Sequence, residues 1–295
     1  MSHEDEFPRR ESFDQHGVDP AIPDLTGVPA KPYPELPSVL GQFVSGVQDL
    51  LSENLVGIYL VGSLAVGGFD LDSDIDFLVV TNEELTDETA SALQTMHARI
   101  YEQSCYPAKH LEGSYISRDV LNRAEAVDVQ KLWYLDNGST VLERSTHCNK
   151  WHVRWVLREH GVRLNGPEPD SLLDPVPDEL IRKEVAGMIR LVAAEFAEAI
   201  NGGLTFWTSR FGQSFAIITI CRMLHTLDTG TVQSKLAGVK WGLKNLDPVW
   251  GDLIQKAWKE REGVRFCVKI RQRADSVALE KTIEFIQYAV REIPS

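Results

Sequence analysis

Apolar residues recur along this chain at two spacings, and the change between them marks its helices and strands. Residues 38–51 carry apolar side chains every three or four positions, which predicts an amphipathic helix. The apolar runs 55–61 and 75–80 predict buried strands, because each is short and is bounded by turn residues. The same criteria predict further helices over 87–104 and 149–160, and further strands over 110–117 and, around a turn, 132–141.

The second half of the chain is helical throughout. Five stretches there carry an apolar stripe at helical spacing, and we find no strand pattern among them: 178–200, 213–228, 234–246, 249–262 and 275–291. We therefore predict an α+β fold, in which a mixed sheet with flanking helices over residues 37–174 precedes an all-α helical-bundle domain over 178–295. The proline-rich segment 166–177 predicts the linker between them.

Residues 1–36 are rich in proline and charge and show little periodicity. This composition predicts an extended or disordered arm. The alternative is a segment that wraps around the body of the protein.

Composition and charge narrow the class of partner. The chain has 295 residues and a net charge of −13, so its surface repels the phosphates of nucleic acids and attracts cations, although an acidic surface also serves solubility alone. None of the cysteines forms a CxxC pair, and the first ten residues lack the apolar core of a secretory signal. No apolar run approaches the length of a membrane span. We predict a cytoplasmic protein, monomeric, without nucleic-acid or membrane partners.

The candidate chemistry lies in residues 62–80, GSLAVGGFDLDSDIDFLVV. Asp74 and Asp76 alternate on a predicted strand, so both carboxylates point to one face, where they can bind magnesium. Gly62 and Ser63 end the preceding strand, where a glycine lets the backbone approach a phosphate closely. A bare DxD is common on solvated loops, but here it runs from a glycine turn directly into a buried strand.

A third carboxylate is expected on a neighbouring strand, and Glu112 in the segment LEGSYIS is our candidate. It could complete the metal site or take a proton from an attacking hydroxyl group. An exposed strand glutamate without a special role is the alternative. The spacing His147-Cys148…His152 lacks a fourth ligand nearby, so a zinc site is not predicted.

Residues 62–80 resemble the GS…DxD signature of the DNA-polymerase-β-like nucleotidyltransferase superfamily. More narrowly, the chain is similar to the aminoglycoside nucleotidyltransferases that adenylylate streptomycin and spectinomycin. This narrower resemblance rests on DPVPDEL at 174–180, ITICRMLHTLDTG at 218–230, and Ser234-Lys235 followed by Trp241. It implies a nucleotidyltransferase domain followed by a helical substrate- and nucleotide-binding domain.

The resemblance also implies roles for single residues. Asp74 and Asp76 match the magnesium ligands of the family, with Glu112 beside them as the catalytic base and a further metal ligand. Gly62 and Ser63 match the turn that binds the triphosphate of ATP. Lys235 matches a lysine of the helical domain that reaches the ATP phosphates; without the resemblance, an ordinary surface lysine would be the better interpretation.

The expected activity is therefore Mg²⁺-dependent transfer of AMP from ATP to a small cationic acceptor, an antibiotic of the spectinomycin or streptomycin class. In the family, tryptophan and acidic residues before the helix of the CRML-like motif help to hold streptomycin. Here the segment TFWTSRFGQSF offers Trp207 but no acid, with Gly212 and Gln213 in its place. Transfer to another metabolite or to a protein hydroxyl group, or a non-catalytic nucleotide sensor, are the alternatives.

Overall fold

A computed structural model describes residues 32–263 and 266–294, without the side chains of residues 263, 266 and 267. The strands are β1 (Leu55–Leu60), β2 (Ile75–Thr81), β3 (Leu111–Ser117), β4 (Leu132–Leu135), β5 (Leu142–Ser145) and β6 (Val162–Asn165). The helices of the sheet-containing half are α1 (Leu36–Leu51), α2 (Gly62–Ala65), α3 (Asp87–Tyr101), α4 (Tyr106–Lys109), α5 (Arg118–Asn122) and α6 (Trp151–His160). The helical half contains α7 (Asp178–Ala199), α8 (Arg210–Thr229), α9 (Lys235–Asn245), α10 (Gly251–Gly263), α11 (Phe266–Lys269) and α12 (Ser276–Arg291). Short 3₁₀ helices cover Ser52–Asn54, Ala124–Ala126, Pro169–Ser171 and Pro248–Trp250.

One mixed sheet forms the first half, with strand order β5-β4-β3-β2-β1-β6. Only β2 and β3 run parallel, and the other neighbours pair antiparallel. The predicted α+β fold, a mixed sheet with flanking helices followed by a helical half, is confirmed.

The two faces of the sheet are both covered, because apolar residues of β2 alternate between two cores. Phe77 and Val79 pack with α1 and α3 on one face. Leu78 and Val80 pack on the other face, in a core that continues into the helices of the second half. Any side chain that shares the face of Leu78 therefore points towards the helical half.

The structure differs from the predicted elements at several positions. The second strand of the pair predicted over 132–141 is β5, which lies beyond that range, because the turn after β4 runs to residue 141 before Leu142 pairs with Leu135. Strand β6 was missed, because its four residues, VRLN, are too few for alternation to be recognised, and they form a strand only by pairing with β1. Helix α8 begins three residues earlier than predicted, at Arg210, because the side chain of Ser209 caps it by accepting a hydrogen bond from the amide of Gly212. The predicted arm falls mostly on residues 1–31, which lie outside the described residues. No helix in the described part of the chain is long and apolar enough to cross a membrane.

A buried histidine links α3 to the sheet and gives a prediction about stability. His97 is 2% exposed, packs between Phe43 and Phe77, and lies 2.7 Å through Nε2 from the hydroxyl group of Tyr115. Burial lowers the pKa of His97 to about 3. The unfolded chain binds this proton below about pH 6.5 and the folded chain does not, so the free energy of unfolding falls as the pH drops from 6.5 towards 3, at up to about 1.4 kcal/mol per pH unit.

We expect His97→Leu to remove this dependence. Between pH 7 and pH 5 the wild type should lose about 2 kcal/mol more of its free energy of unfolding than the variant does. Urea unfolding at both pH values measures the difference, and the other titrating groups cancel because both proteins contain them. An equal loss in the two proteins would show that His97 titrates normally in the folded state.

Candidate active site

A tight turn joins β1 to the short helix α2. Gly62 has φ +55°, which disfavours any side chain, and a Cβ atom there would lie 1.9 Å from Oδ2 of Asp76. The amide of Ser63 donates a hydrogen bond to Asp76, and its Oγ is buried with no partner among the described residues. Buried hydroxyl groups are nearly always hydrogen-bonded, so an unpartnered one at this turn suits a ligand oxygen.

The predicted carboxylates lie together at the edge of β2 and β3. Asp76 and Glu112 are direct partners in this parallel strand pair, and neighbouring strands lie about 4.8 Å apart. Asp74 precedes Asp76 by two residues and shares its face. That face also carries Leu78, so all three carboxylates point towards the helical half.

These carboxylates lack enough positive charge around them. Burial, together with the negative charges of Asp76 and Glu112, raises the pKa of Asp74 to about 7. Burial and the charge of Glu112 raise the pKa of Asp76 to about 6. A divalent cation would relieve both effects, and oxygen donors on a rigid strand are what magnesium binds. The aspartates therefore fit a magnesium ion on electrostatic and chemical grounds.

The metal would need ligands beyond the protein. Within residues 32–263 and 266–294, no group of three or more His, Cys, Asp or Glu side chains is arranged to hold a metal ion. Asp74 and Asp76 would thus share the ion with phosphate oxygens and water, as is usual for magnesium. The role of Glu112 as a metal ligand stays a prediction.

Neighbouring strands hold the carboxylates in place. The hydroxyl group of Tyr134 donates to Glu112 at 2.7 Å and lies 2.9 Å from Asp136, and His147 Nε2 lies 3.2 Å from Glu112 Oε1. The side-chain amide of Asn137, in the turn after β4, donates to Asp74. Tyr134 and His147 both contact Oε1 of Glu112, so two neighbours orient this carboxylate, as suits a proton acceptor.

Cationic side chains of the helical half face this cluster. Lys235 is the first residue of α9, after the capping residue Ser234, and its ammonium group lies 5.6 Å from the ring centroid of Phe215. Burial and the charges of Arg261 and Arg222 lower the pKa of Lys235 to about 8. Arg222 is partly buried on α8, where burial lowers its pKa and Asp76 counteracts the effect. Arg261 is already paired with Asp70, so Lys235 and Arg222 are the two basic residues here that are suited to a polyanion such as a triphosphate.

Comparison with known proteins agrees with this geometry. A model of the nucleotidyltransferase domain matches residues 40–134, and a model of the aminoglycoside adenylyltransferase C-terminal domain matches residues 171–289. The spectinomycin 9-adenylyltransferase of Staphylococcus aureus is 28% identical over 245 residues, which cover 78% of this chain and 86% of that protein. The aminoglycoside (3'')(9) adenylyltransferase of Shigella flexneri is 24% identical over 283 residues, 88% of this chain and 95% of that protein.

This chain belongs to the aminoglycoside nucleotidyltransferase family. A crystal structure of a spectinomycin adenyltransferase from Enterococcus faecialis, with ATP and spectinomycin, has the same fold. Its TM-score is 0.63 at 17% sequence identity, and the match covers 86% of this chain and 98% of that one. The protein is a nucleotidyltransferase enzyme.

Two basic residues of the helical half lie near the carboxylates of the sheet. Lys235 is partly buried against Phe215 and faces the carboxylates, so it is not an ordinary surface lysine. Arg222 was not predicted as a site residue, and its charge interacts with those of Asp76, Lys235 and Arg261. The only signal for Arg222 in the sequence was a basic residue on the helix before Lys235, 13 positions earlier. The sequence did not show which way this side chain points, because that depends on how the helices pack.

A zinc site at His147, Cys148 and His152 was not predicted, and the contacts of these residues do not suggest one. His147 contacts Glu112, whereas His152 lies 2.6 Å from Glu184 through Nδ1. Burial raises the pKa of the Cys148 thiol to about 12, which disfavours the thiolate that zinc binds. The three residues thus serve different parts of the fold.

Proposed function

We propose that this enzyme transfers AMP from ATP to a hydroxyl group of a cationic aminoglycoside or aminocyclitol antibiotic, with Mg²⁺, and releases pyrophosphate. The observation that carries the proposal is that the site has two walls of opposite charge. The carboxylates of Asp74, Asp76 and Glu112 form the wall on the sheet, and Lys235 and Arg222 form the wall on the helical half. Carboxylates of the sheet need a cation, and basic residues of the helical half need an anion. ATP with a divalent cation supplies both in one ligand.

The nucleotide would bind between these walls. Asp74 and Asp76 would hold the magnesium, which when bound neutralises phosphate charge and polarises the phosphoryl oxygens. Ser63 offers its unpartnered Oγ to the phosphates. Lys235 and Arg222 bind the triphosphate from the other side, which orients the leaving pyrophosphate away from the acceptor.

Glu112 removes the proton from the acceptor. The hydroxyl oxygen attacks the α-phosphorus of ATP, the bond from that phosphorus to the bridging oxygen of the β-phosphate breaks, and the hydroxyl proton passes to the Glu112 carboxylate. Tyr134 and His147 keep that carboxylate directed at the cleft. This assignment of roles also rests on the family resemblance.

Spectinomycin is the acceptor that the chain supports best, ahead of streptomycin. A cationic acceptor suits a net charge of −13. The segment that holds streptomycin in the family lacks its acidic residues here, and Trp207 packs in an aromatic cluster, with ring centroids 4.9 Å from Phe206 and 6.2 Å from Phe196. The predicted cytoplasmic location and monomeric state are part of the same proposal.

Incubation of the purified enzyme with ATP, MgCl₂ and single acceptors tests the proposal. Spectinomycin, streptomycin, other aminoglycosides and simple hydroxyl metabolites form the panel, with pyrophosphate release and the mass of the acceptor as readouts. We expect an AMP adduct of spectinomycin and little or none of streptomycin. Transfer only to a non-antibiotic acceptor would overturn the antibiotic assignment, and nucleotide binding without transfer to any acceptor would indicate a sensor.

Lys235 provides a separate test of the nucleotide site. We expect Lys235→Ala to raise the KM for ATP by about 10- to 100-fold, since one charge-assisted phosphate contact contributes roughly 1.5–3 kcal/mol. Steady-state kinetics at saturating acceptor measure the change. Lys240 is exposed on the same helix, so Lys240→Ala is the matched control and should leave the KM unchanged. An equal effect of both variants would contradict direct phosphate binding by Lys235.

A further inference from the structure

Four aspartates alternate from residue 70, in the turn before β2, to residue 76 on the strand itself, and they divide into two pairs. Asp74 and Asp76 face the active site. Asp70 instead forms a bidentate ion pair with Arg261 of α10, with Nε–Oδ2 at 3.0 Å and Nη2 at 2.8 Å and 2.9 Å from the two carboxylate oxygens. The Arg261 side chain is only 7% exposed. The Asp70 side chain is 40% exposed, so the pair is half-buried, and its bidentate geometry is what distinguishes it from an ordinary surface pair.

Asp70 also organises the turn that leads into Asp74. Its Oδ1 accepts hydrogen bonds from the amide of Asp72 at 3.0 Å and from the hydroxyl group of Ser73 at 2.8 Å. The amide of Asp70 in turn donates to the Ser73 Oγ at 3.0 Å. The carboxylate of Asp70 therefore stabilises the turn through hydrogen bonds and also connects the turn to the helical half.

A second contact also connects this turn to the helical half. Lys269 of α11 is fully buried, and its ammonium group donates to the carbonyl oxygens of Glu260 and Arg261, at 2.9 Å and 3.0 Å. The same group lies 3.8 Å from Oδ2 of Asp72. The end of α10 that carries Arg261 is thus fixed beside the same turn.

The turn also touches the helix that carries Lys235. A Cβ atom at Gly68 would lie 2.7 Å from the Cβ of Ser234, the residue that caps α9 immediately before Lys235. Only a glycine permits this approach. The residues before Asp74 are therefore held against α9 and α10 at once.

We propose that Asp70 and Arg261 are positioning residues that set the distance between the metal-binding aspartates and the phosphate-binding lysine. The pair acts 191 residues apart in sequence, across the two halves of the molecule. The inference rests on the proposed function, because it assigns the pair a part in placing ATP between the two walls. A displacement of about 1 Å in such a site can lower the rate about a hundredfold.

The variants Asp70→Asn, Arg261→Gln and the double variant form a thermodynamic cycle. We expect each single variant to lower kcat by about 10- to 100-fold while the KM for ATP changes by less than about threefold. The double variant should be no slower than the slower single variant, since both changes break one contact. Arg261→Lys, which keeps the charge but loses the bidentate geometry, should fall between the wild type and Arg261→Gln.

A second ion pair serves as the control. Arg144 and Glu84 lie 2.6 Å apart within the sheet-containing half, with side chains 37% and 50% exposed. Arg144→Gln and Glu84→Gln should change kcat by less than about twofold. Rates are normalised to the folded fraction measured by circular dichroism at the assay temperature, which separates loss of folding from loss of position.

Three kinetic outcomes would overturn the inference: a kcat of Asp70→Asn within twofold of wild type, single losses that multiply in the double variant, or an effect confined to the KM for ATP. The last would make Arg261 a phosphate ligand.

Amide hydrogen exchange over residues 67–76 tests the position of the turn without any acceptor. Asp70→Asn and Arg261→Gln should increase this exchange about tenfold and the control pair should not, because only the first two release the turn. Unchanged exchange would also overturn the inference, whereas an inactive wild type would overturn only the proposed function.

Discussion

Asp76→Asn should abolish AMP transfer and, at the same time, make the metal-free enzyme more stable. The loss of one of two carboxylates that hold magnesium should lower kcat roughly a thousandfold or more, because metal-assisted charge neutralisation carries much of phosphoryl-transfer catalysis. The gain in stability has the same origin. Asp76 is partly buried, and this burial together with the charge of Glu112 raises its pKa to about 6, so the folded state resists its ionisation.

The sign of the stability change depends on pH. The unfolded carboxyl group ionises near pH 3.9, whereas the folded one ionises near pH 6, so folding is penalised increasingly as the pH rises from about 4 to about 6 and fully above that. Asp76→Asn removes the penalty. We expect the free energy of unfolding to rise by about 1–3 kcal/mol at pH 8 and to be unchanged near pH 4.

Urea unfolding in EDTA at both pH values, together with pyrophosphate release at pH 8, measures both effects. Mg²⁺ with ATP should then stabilise the wild type but not the variant, because only the wild type binds the metal tightly. Asp49 is exposed on α1, so Asp49→Asn is the matched control for the charge change. If Asp76→Asn retained a tenth of the activity, Asp76 would not be an essential metal ligand.

Glu112→Gln should produce the second large effect, on the rate rather than on nucleotide binding. The amide keeps the shape of the side chain and can still accept from Tyr134, but it cannot take a proton. We expect kcat to fall by about 10²- to 10⁴-fold, the usual contribution of a general base, with the affinity for ATP unchanged.

A magnesium titration separates the two roles predicted for Glu112. If Glu112 acts only as the base, the Mg²⁺ concentration at half-maximal rate stays the same in Glu112→Gln; if it also binds the metal, that concentration rises. Glu143 is exposed on β5 of the same sheet, so Glu143→Gln is the control and should retain wild-type kinetics. A kcat of Glu112→Gln near that of the wild type would exclude both roles.

Local patterns predicted most of the fold and one wall of the site. Alternation along a strand is decided by neighbouring residues, so the shared face of Asp74 and Asp76 followed from the sequence alone. The helices of the second half, apart from the short α11, were predicted with end points within a few residues, because each of them carries its own apolar stripe. The predicted domain boundaries, and the roles of single site residues, stay predictions.

The opposite wall depended on the tertiary structure. Arg222 lies on the predicted helix of residues 213–228, but only the tertiary structure brings it close enough to Asp76 for their charges to interact. Tyr134 and His147 contact Glu112 through strand pairing and loop placement that no short segment specifies.

The alternating aspartates of residues 70–76 include features that the sequence determines and a contact that only the tertiary structure determines. The sequence by itself determined that Asp74 and Asp76 share one face at the start of a buried strand, since a period of two residues is a local property of the backbone. Only the tertiary structure decided that Asp70 pairs with Arg261, because the charge of the buried Arg261 side chain is balanced by whichever distant segment packs against it. The local sequence therefore indicated two carboxylates suited to a metal ion, but it did not show which residues of the helical half lie opposite them.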